Sequence, residues 1–366
     1  MSNRYSAVCV QTNRYLVTHK SEIRKANLER ALELIDYAVL RLGFFEYAPT
    51  KLVVFPEVFL QGWEKDAAPH RDLWEKYAKD LAILVPGKET DMLAEKAKQY
   101  KTYIAGTVHE VMPDFSEDIA FNCGFIIDPN GEIIYKRHKA HVYMRKHSRD
   151  EVSPHDVYDR YLEFMDGKYG RKKGDILSCF FPVIETDIGK LGYIICNEGF
   201  YIESFRAMGM QGCEVLIRSS GVLEPEGSPP QQSWEIGNRA AAHFNLSYVV
   251  ACAPGDLYSK GWPINTFPGH SMIVDFHGAL LCHADFQGET ATQAVIDIEA
   301  LRKRRTDAKH NWIPQLRTET FAEMYREPIY PKNLFIKGRP ATFEERFAEI
   351  PIKRFLDERI FIPPSE

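Results

Sequence analysis

Apolar and polar positions along this chain switch between two periods. Tyr5 to Gln11 alternates apolar with polar and predicts a strand, whereas Ser21 to Leu42 places Ile23, Ala31, Leu34, Ile35, Ala38 and Leu42 at helical spacing. Lys51 to Phe55 is a short apolar strand, and Thr90 to Lys101 suits a helix. Strands follow at Tyr103 to Val108, Phe121 to Ile127 and Glu132 to Tyr135, the last two joined into a hairpin by Asp128-Pro129-Asn130-Gly131. From Lys190 the same rhythm gives strand Lys190 to Cys196, helix Glu203 to Gly212, strand Cys213 to Arg218, loop Ser219 to Pro230, helix Gln231 to Asn245 and strand Ser247 to Cys252. His270 to Phe276 and Thr292 to Ile298 are the last predicted strands. Such alternation belongs to α/β proteins.

Two stretches break the rhythm. His141 to Lys173 is polar and charged with little β character, a loop or helical insertion of the kind that compact domains reserve for function. Beyond Arg305, prolines at 314, 328, 331, 340, 351, 363 and 364 stand among aromatics, so this tail is expected to wrap the body or a neighbouring subunit. No Gly/Ser/Pro-rich linker divides the rest. One α/β domain over residues 1–305, with a C-terminal extension over 306–366, is the expected organisation.

Composition narrows the function classes. Across 366 residues, 45% hydrophobic and 27% charged content excludes disordered, collagen-like and coiled-coil chains. A net charge of -5 argues against a partner that is nucleic acid or an anionic membrane. A small molecule or another copy of the chain is expected instead. Seven cysteines, an odd count without a CxxC pair, do not form a disulfide framework. Met1 to Gln11 lacks a signal-peptide pattern, and no run approaches 18 apolar residues, so a cytoplasmic protein with reduced thiols is expected.

Three strand ends carry candidate chemistry. Leu191 to Ile195 runs into Cys196-Asn197-Glu198-Gly199, where a thiol at a strand end and before a helix would be favoured as thiolate; a buried core cysteine fits the same position. Lys51 to Phe55 stops at Pro56-Glu57, and a carboxylate there is either a general base or simply exposed past the strand. Tyr135-Lys136-Arg137-His138-Lys139-Ala140-His141 is either a solvated basic edge or the source of one inward lysine that stabilises an oxyanion. His138 and His141 lack the companions of a metal site. Gly269-His270-Ser271-Met272-Ile273 imitates a nucleophile elbow, but position 273 is not glycine and the serine opens a strand. No nucleotide-binding glycine motif follows any strand.

Glu57, Lys139 and Cys196, each after a strand and in that order, resemble the catalytic set of the nitrilase superfamily of carbon–nitrogen hydrolases. The matching motifs are Val54-Phe55-Pro56-Glu57 with Leu60-Gln61-Gly62, then Lys139-Ala140-His141, then Gly189-Lys190-Leu191-Gly192 leading into Ile195-Cys196. Similarity continues through Asn238-Arg239-Ala240-Ala241, Tyr248-Val249-Val250 and Gly269-His270-Ser271, covering roughly residues 5 to 305. Two branches compete. Cys196 to Glu203, Phe55 to Gly62 and Ile217 to Gly221 resemble aliphatic amidases and formamidases. The long segment after Lys139 and Met208 to Gly212 are similar to N-carbamoyl-D-amino acid amidohydrolases, but Gly199 and Phe200 stand where that branch places arginines for a substrate carboxylate.

The resemblance implies a four-layer αββα sandwich that assembles into a homodimer or larger homo-oligomer, with no metal or organic cofactor. It implies an amidase of neutral carboxamides, with an N-carbamoyl (ureido) hydrolase as the alternative. Cys196 would be the nucleophile, Glu57 the base, and Lys139 with the backbone N–H of Asn197 the oxyanion donors. A second acid between lysine and cysteine is matched to Glu163, with Asp166 as rival. Trp63, Tyr143, Phe200, Tyr201 and Trp234 are candidate pocket residues or core and interface aromatics; His243 and His270 are read as structural.

Overall fold

The computed structural model describes residues 4–42, 48–62, 73–143, 149, 151–222, 227–258 and 267–364. Its strands of three or more residues are β1 (Arg4–Gln11), β2 (Thr50–Val54), β3 (Tyr103–Met112), β4 (Ser116–Ile127), β5 (Ile133–His138), β6 (Val183–Thr186), β7 (Gly189–Ile195), β8 (Val215–Ser219), β9 (Tyr248–Cys252), β10 (Met272–Val274), β11 (Leu280–His283) and β12 (Thr290–Asp297). They form two six-stranded sheets, ordered β12-β1-β2-β3-β4-β5 and β11-β10-β9-β8-β7-β6. Each has a parallel centre, β1-β2-β3 in one and β7-β8-β9 in the other, flanked by antiparallel strands.

The sheets pack face to face, and this explains the strand pattern. In β1, Tyr5, Ala7 and Cys9 turn to the shared core with Leu52, Val54, Tyr193, Ile195, Ile217 and Val250. Val8 and Val10 face the other way, onto a helical layer that contributes Ile23, Leu28, Leu34, Ile35 and Leu93. That layer contains a helical run from Lys20 to Leu42, with α1 (Glu29–Asp36) at its centre, and α2 (Lys88–Tyr100). The inserted segment holds α3 (Tyr158–Tyr169). On the second sheet's outer face, α4 (Ile202–Met210) and α5 (Ser233–Asn245) cover Ile194, Leu216 and Val249 with Phe205, Met208, Ala241 and Ala242. Strands buried on both faces read as nearly continuous apolar runs, as they do here. The order helix, sheet, sheet, helix is the four-layer α/β sandwich expected.

The hairpin predicted at Asp128 to Gly131 joins β4 to β5, with the Gly131 N–H donating to the Asp128 carbonyl at 2.9 Å and Gly131 at φ 81°. Beyond β12 the chain forms α6 (Ile298–Thr306), and the tail then lies against the body. Trp312 donates to the Phe244 carbonyl, and Phe335 packs edge-on to Trp74 at 5.4 Å. The Asn333 N–H donates to the His155 carbonyl, and Arg149 donates to the Ala341 carbonyl at 2.7 Å. Among the described residues no helix is long and apolar enough to cross a membrane.

Candidate active site

Glu57 is placed by the way β2 ends. Pro56 cannot donate to a ladder, so pairing stops; Val58 then takes φ 44° and donates its N–H to Thr107 Oγ1 at 2.7 Å. Above it, the Phe55 carbonyl accepts from Ser219 Oγ at 2.6 Å, and the Glu57 carbonyl accepts from Arg14 at 2.9 Å. These bonds leave the Glu57 carboxylate pointing between the sheets, fully buried.

Lys139 follows β5, and its N–H donates to the Asn122 carbonyl at 2.9 Å. Its ammonium lies 2.7 Å from Glu57 Oε1 and 3.3 Å from Glu151 Oε2. Asn122 donates through Nδ2 to both Glu57 Oε1 and Glu151 Oε1, at 2.8 Å each. His109 Nε2 bonds Glu151 Oε1 at 3.0 Å, and the Gly221 N–H caps Glu57 Oε2 at 2.9 Å. Burial alone would depress the Lys139 ammonium, but Glu151, Glu57 and Cys196 together hold it well above the ordinary lysine value. Burial likewise disfavours the Glu151 carboxylate, yet Lys139, His109 and Asn122 hold it well below the usual range. A charged lysine between two carboxylates is the result.

Cys196 closes β7 at φ 47°, a left-handed conformation unusual for a residue with a side chain. Glu198, two residues on, fixes the turn: it accepts from the Ile195 N–H at 2.8 Å and the Ala140 N–H at 2.6 Å while Arg137 grips both its oxygens at 2.5 Å. One buried carboxylate therefore ties the cysteine turn to the lysine strand. Residue Cys196 is partly exposed, as is Cys282, whereas Cys9, Cys123, Cys179, Cys213 and Cys252 are buried. Burial and the adjacent Glu57 push the Cys196 pKa up to about 12, against the pull of Lys139 and Ser220. Burial and Glu57 thus oppose the thiolate that a place before a helix would favour, so a neighbouring base suits this group.

The three strand-end residues chosen from sequence therefore meet in one place. Glu163 does not join them. It lies on the solvent side of α3, whose buried face is Tyr161, Leu162 and Met165, and pairs with Lys173 at 3.2 Å. Asp166 is exposed on the same helix. Glu151 occupies the place beside the lysine, in the turn before the helical segment Pro154–Val157 that Ser153 and Asp156 cap. Sequence reasoning also missed Asn122 and His109, which sit inside β4 and β3 and look like ordinary strand positions.

The aromatic candidates separate. Tyr201 stacks on His141 at 4.3 Å, and the His141 carbonyl accepts from Asn197 Nδ2 at 3.5 Å, so this pair borders the cysteine turn. Phe200 and Tyr143 are exposed. Trp234 is core: it is buried, donates to the His270 carbonyl at 2.8 Å and carries the Arg218 guanidinium over its ring. Trp63 lies outside the described residues. His138 faces Glu110 at 2.8 Å and Tyr161 at 2.9 Å, within a buried group that also includes Cys123; the Lys136 ammonium, 2.5 Å from Glu110, already supplies that pocket's positive charge.

Residues 7–306 match the carbon-nitrogen hydrolase family model. The chain belongs to that family. A formamidase of Bacillus cereus (strain B4264) is 30% identical over 267 residues, 73% of this chain and 66% of the relative, and a Bacillus anthracis formamidase matches to the same extent. The chain is also similar in fold to Saccharomyces cerevisiae Nit3, a member of branch 10 of the nitrilase superfamily, with TM-score 0.62 and 24% identity over 86% of this chain and 97% of that one. An amidase of Nesterenkonia sp. AN1 superposes with TM-score 0.59 at 15% identity, covering 85% and 97%. The family match and the relatives together support membership of the carbon-nitrogen hydrolase family, and the solved structures support its fold.

Proposed function

We propose that the protein hydrolyses a neutral carboxamide to carboxylate and ammonia through a thioester on Cys196. The observation that carries this reading is one buried carboxylate, Glu57, bonded to the Lys139 ammonium at 2.7 Å and near enough to the Cys196 thiol to raise its pKa. Glu57 takes the thiol proton as sulfur attacks the carbonyl carbon. Lys139 and the Asn197 N–H face the oxygen that becomes negative, donors worth about 3 to 4 kcal/mol each. Glu57 then passes its proton to the nitrogen as the C–N bond breaks, and later takes one from the water that opens the thioester. Glu151, with Asn122 and His109, keeps Lys139 charged and aimed.

The formamidase relatives favour a short acyl group, and Gly199, which offers no carboxylate clamp, favours amides over N-carbamoyl amino acids. We take residues 306–366 as an extension of one hydrolase domain, the protein as a homo-oligomer, and its seven free thiols as suited to a reducing cytoplasm. Ammonia release from formamide, acetamide, larger amides and N-carbamoyl amino acids, with Cys196→Ala alongside, tests the activity. Turnover of simple amides that vanishes in the variant is expected. Carbon dioxide released with ammonia from ureido compounds alone, or undiminished turnover by the variant, would overturn it. A monomeric mass at micromolar concentration would remove the oligomer.

A further inference from the structure

The sequence leaves a glycine at 199, beside the nucleophile, and the structure gives the reason. Gly199 has no left-handed backbone to accommodate; instead, a side chain there would overlap the Arg218 guanidinium, which fills the space from β8. Arg218 is buried, lies over the Trp234 ring at 4.4 Å, and donates through Nη1 to Asn238 Oδ1 at 2.8 Å. Through Nη2 it donates to the carbonyl oxygen of Cys196 at 3.3 Å.

That carbonyl belongs to the same peptide group as the Asn197 N–H. A peptide is planar and trans, so its C=O and N–H point in opposite directions. A cation held at the oxygen therefore fixes where the N–H aims, and by drawing electron density toward the oxygen it makes the N–H a stronger donor. We propose that Arg218 is a positioning residue of the oxyanion hole, orienting and polarising the Cys196–Asn197 peptide from behind. The assignment rests on the reading of Cys196 as nucleophile and of the Asn197 N–H as oxyanion donor.

The test separates the oxyanion from the thiol. Arg218→Gln and Arg218→Lys are compared with wild type on the best carboxamide, in inhibition by the corresponding aldehyde, and in reaction with methyl methanethiosulfonate. The aldehyde adds to the thiol as a hemithioacetal whose oxygen takes the oxyanion's place. The thiosulfonate forms a methyl disulfide on sulfur and expels methanesulfinate, with no oxyanion, and mass spectrometry localises it to Cys196. For Arg218→Gln, kcat should fall about 10- to 100-fold with KM within about threefold, and aldehyde inhibition should weaken by a similar factor, on the scale of weakening a donor without deleting it. Arg218→Lys should recover part of both, and the disulfide-forming rate should stay within about twofold in both. Gly199→Ala should reproduce the pattern by displacing the guanidinium, and it decides the matter if melting curves show the Arg218 variants unfolded. Unchanged kcat, or equal losses in turnover and disulfide formation, would overturn the proposal. If Cys196→Ala still turns over, the nucleophile reading itself has failed; if it is inert while the Arg218 and Gly199 variants keep full turnover, only the role of Arg218 has.

Discussion

Arg137 and Lys139 stand two residues apart and turn the same way, and each meets a buried glutamate at 2.7 Å or less. The first pair is closed. Glu198 spends its oxygens on both Arg137 nitrogens and two backbone N–H groups, so nothing remains to react. The second pair is open: Glu57 shares its oxygens among Lys139, Asn122 and Gly221 and also acts on the nearby thiol of Cys196, a residue that is partly exposed. Buried ion pairs of similar composition thus become a strut or a reaction centre according to what else the carboxylate reaches. Desolvation makes both costly to break.

Breaking the open pair should have the largest effect. Lys139→Met removes an oxyanion donor and leaves Glu57 and Glu151 without their cation, so turnover should fall by about a thousandfold or more and stability by about 3 to 5 kcal/mol, read by ammonia assay and urea unfolding. Arg137→Met should cost a similar stability, about 3 to 5 kcal/mol, but the folded fraction should keep measurable turnover; complete inactivation of folded protein would erase the distinction between strut and centre. Glu151→Gln can keep the oxygen that bonds Asn122 and His109 but loses the charge and the acceptor that faces Lys139, and should lower kcat about tenfold to a hundredfold.

Acid should dissolve the neighbourhood in two stages. Burial lowers His155 from 6.5 to about 4, so its contribution is present above pH 6.5 and is lost as pH falls toward 4. The lowered Glu151 carboxylate contributes above its ordinary value of 4.5 and loses that contribution toward pH 2. Unfolding measured from pH 7 to 3 should show the first stage in wild type and weaken it in His155→Gln, while His138 and His141, also lowered by burial, keep the remainder. The smallest effect is expected for Glu163→Gln, within about 0.5 kcal/mol and twofold in kcat, because that carboxylate is on the surface.

Much of this was legible in the sequence because strands buried on both faces advertise themselves as apolar runs, and Glu57, Lys139 and Cys196 each end one. Less legible were the sheet margins. β6 and β11 are short edge strands with half-exposed side chains, so Val183 to Thr186 and Leu280 to His283 lack the apolar contrast that marks a strand. α6 was hidden behind β12 although Asp297 caps it by accepting from Ala300 at 2.9 Å. The basic run at 136–139 illustrates the deeper limit. Its charges look like a solvated edge until the partners Glu110, Glu198, Glu57 and Glu151 arrive from elsewhere in the chain. Glu151 and Glu163 differ by tertiary position, which no local pattern records.

The Arg149 bond to the Ala341 carbonyl spans 192 residues and sits two positions from Glu151. With the Asn333 N–H held by the His155 carbonyl, it makes the tail a late fastener for the segment that carries Glu151. A chain emerging from the ribosome has made Cys196, Glu57 and Lys139 long before that fastener exists. Activity is expected only once that fastener closes, and purified chains ending before and after residue 341 would show whether ammonia release begins there.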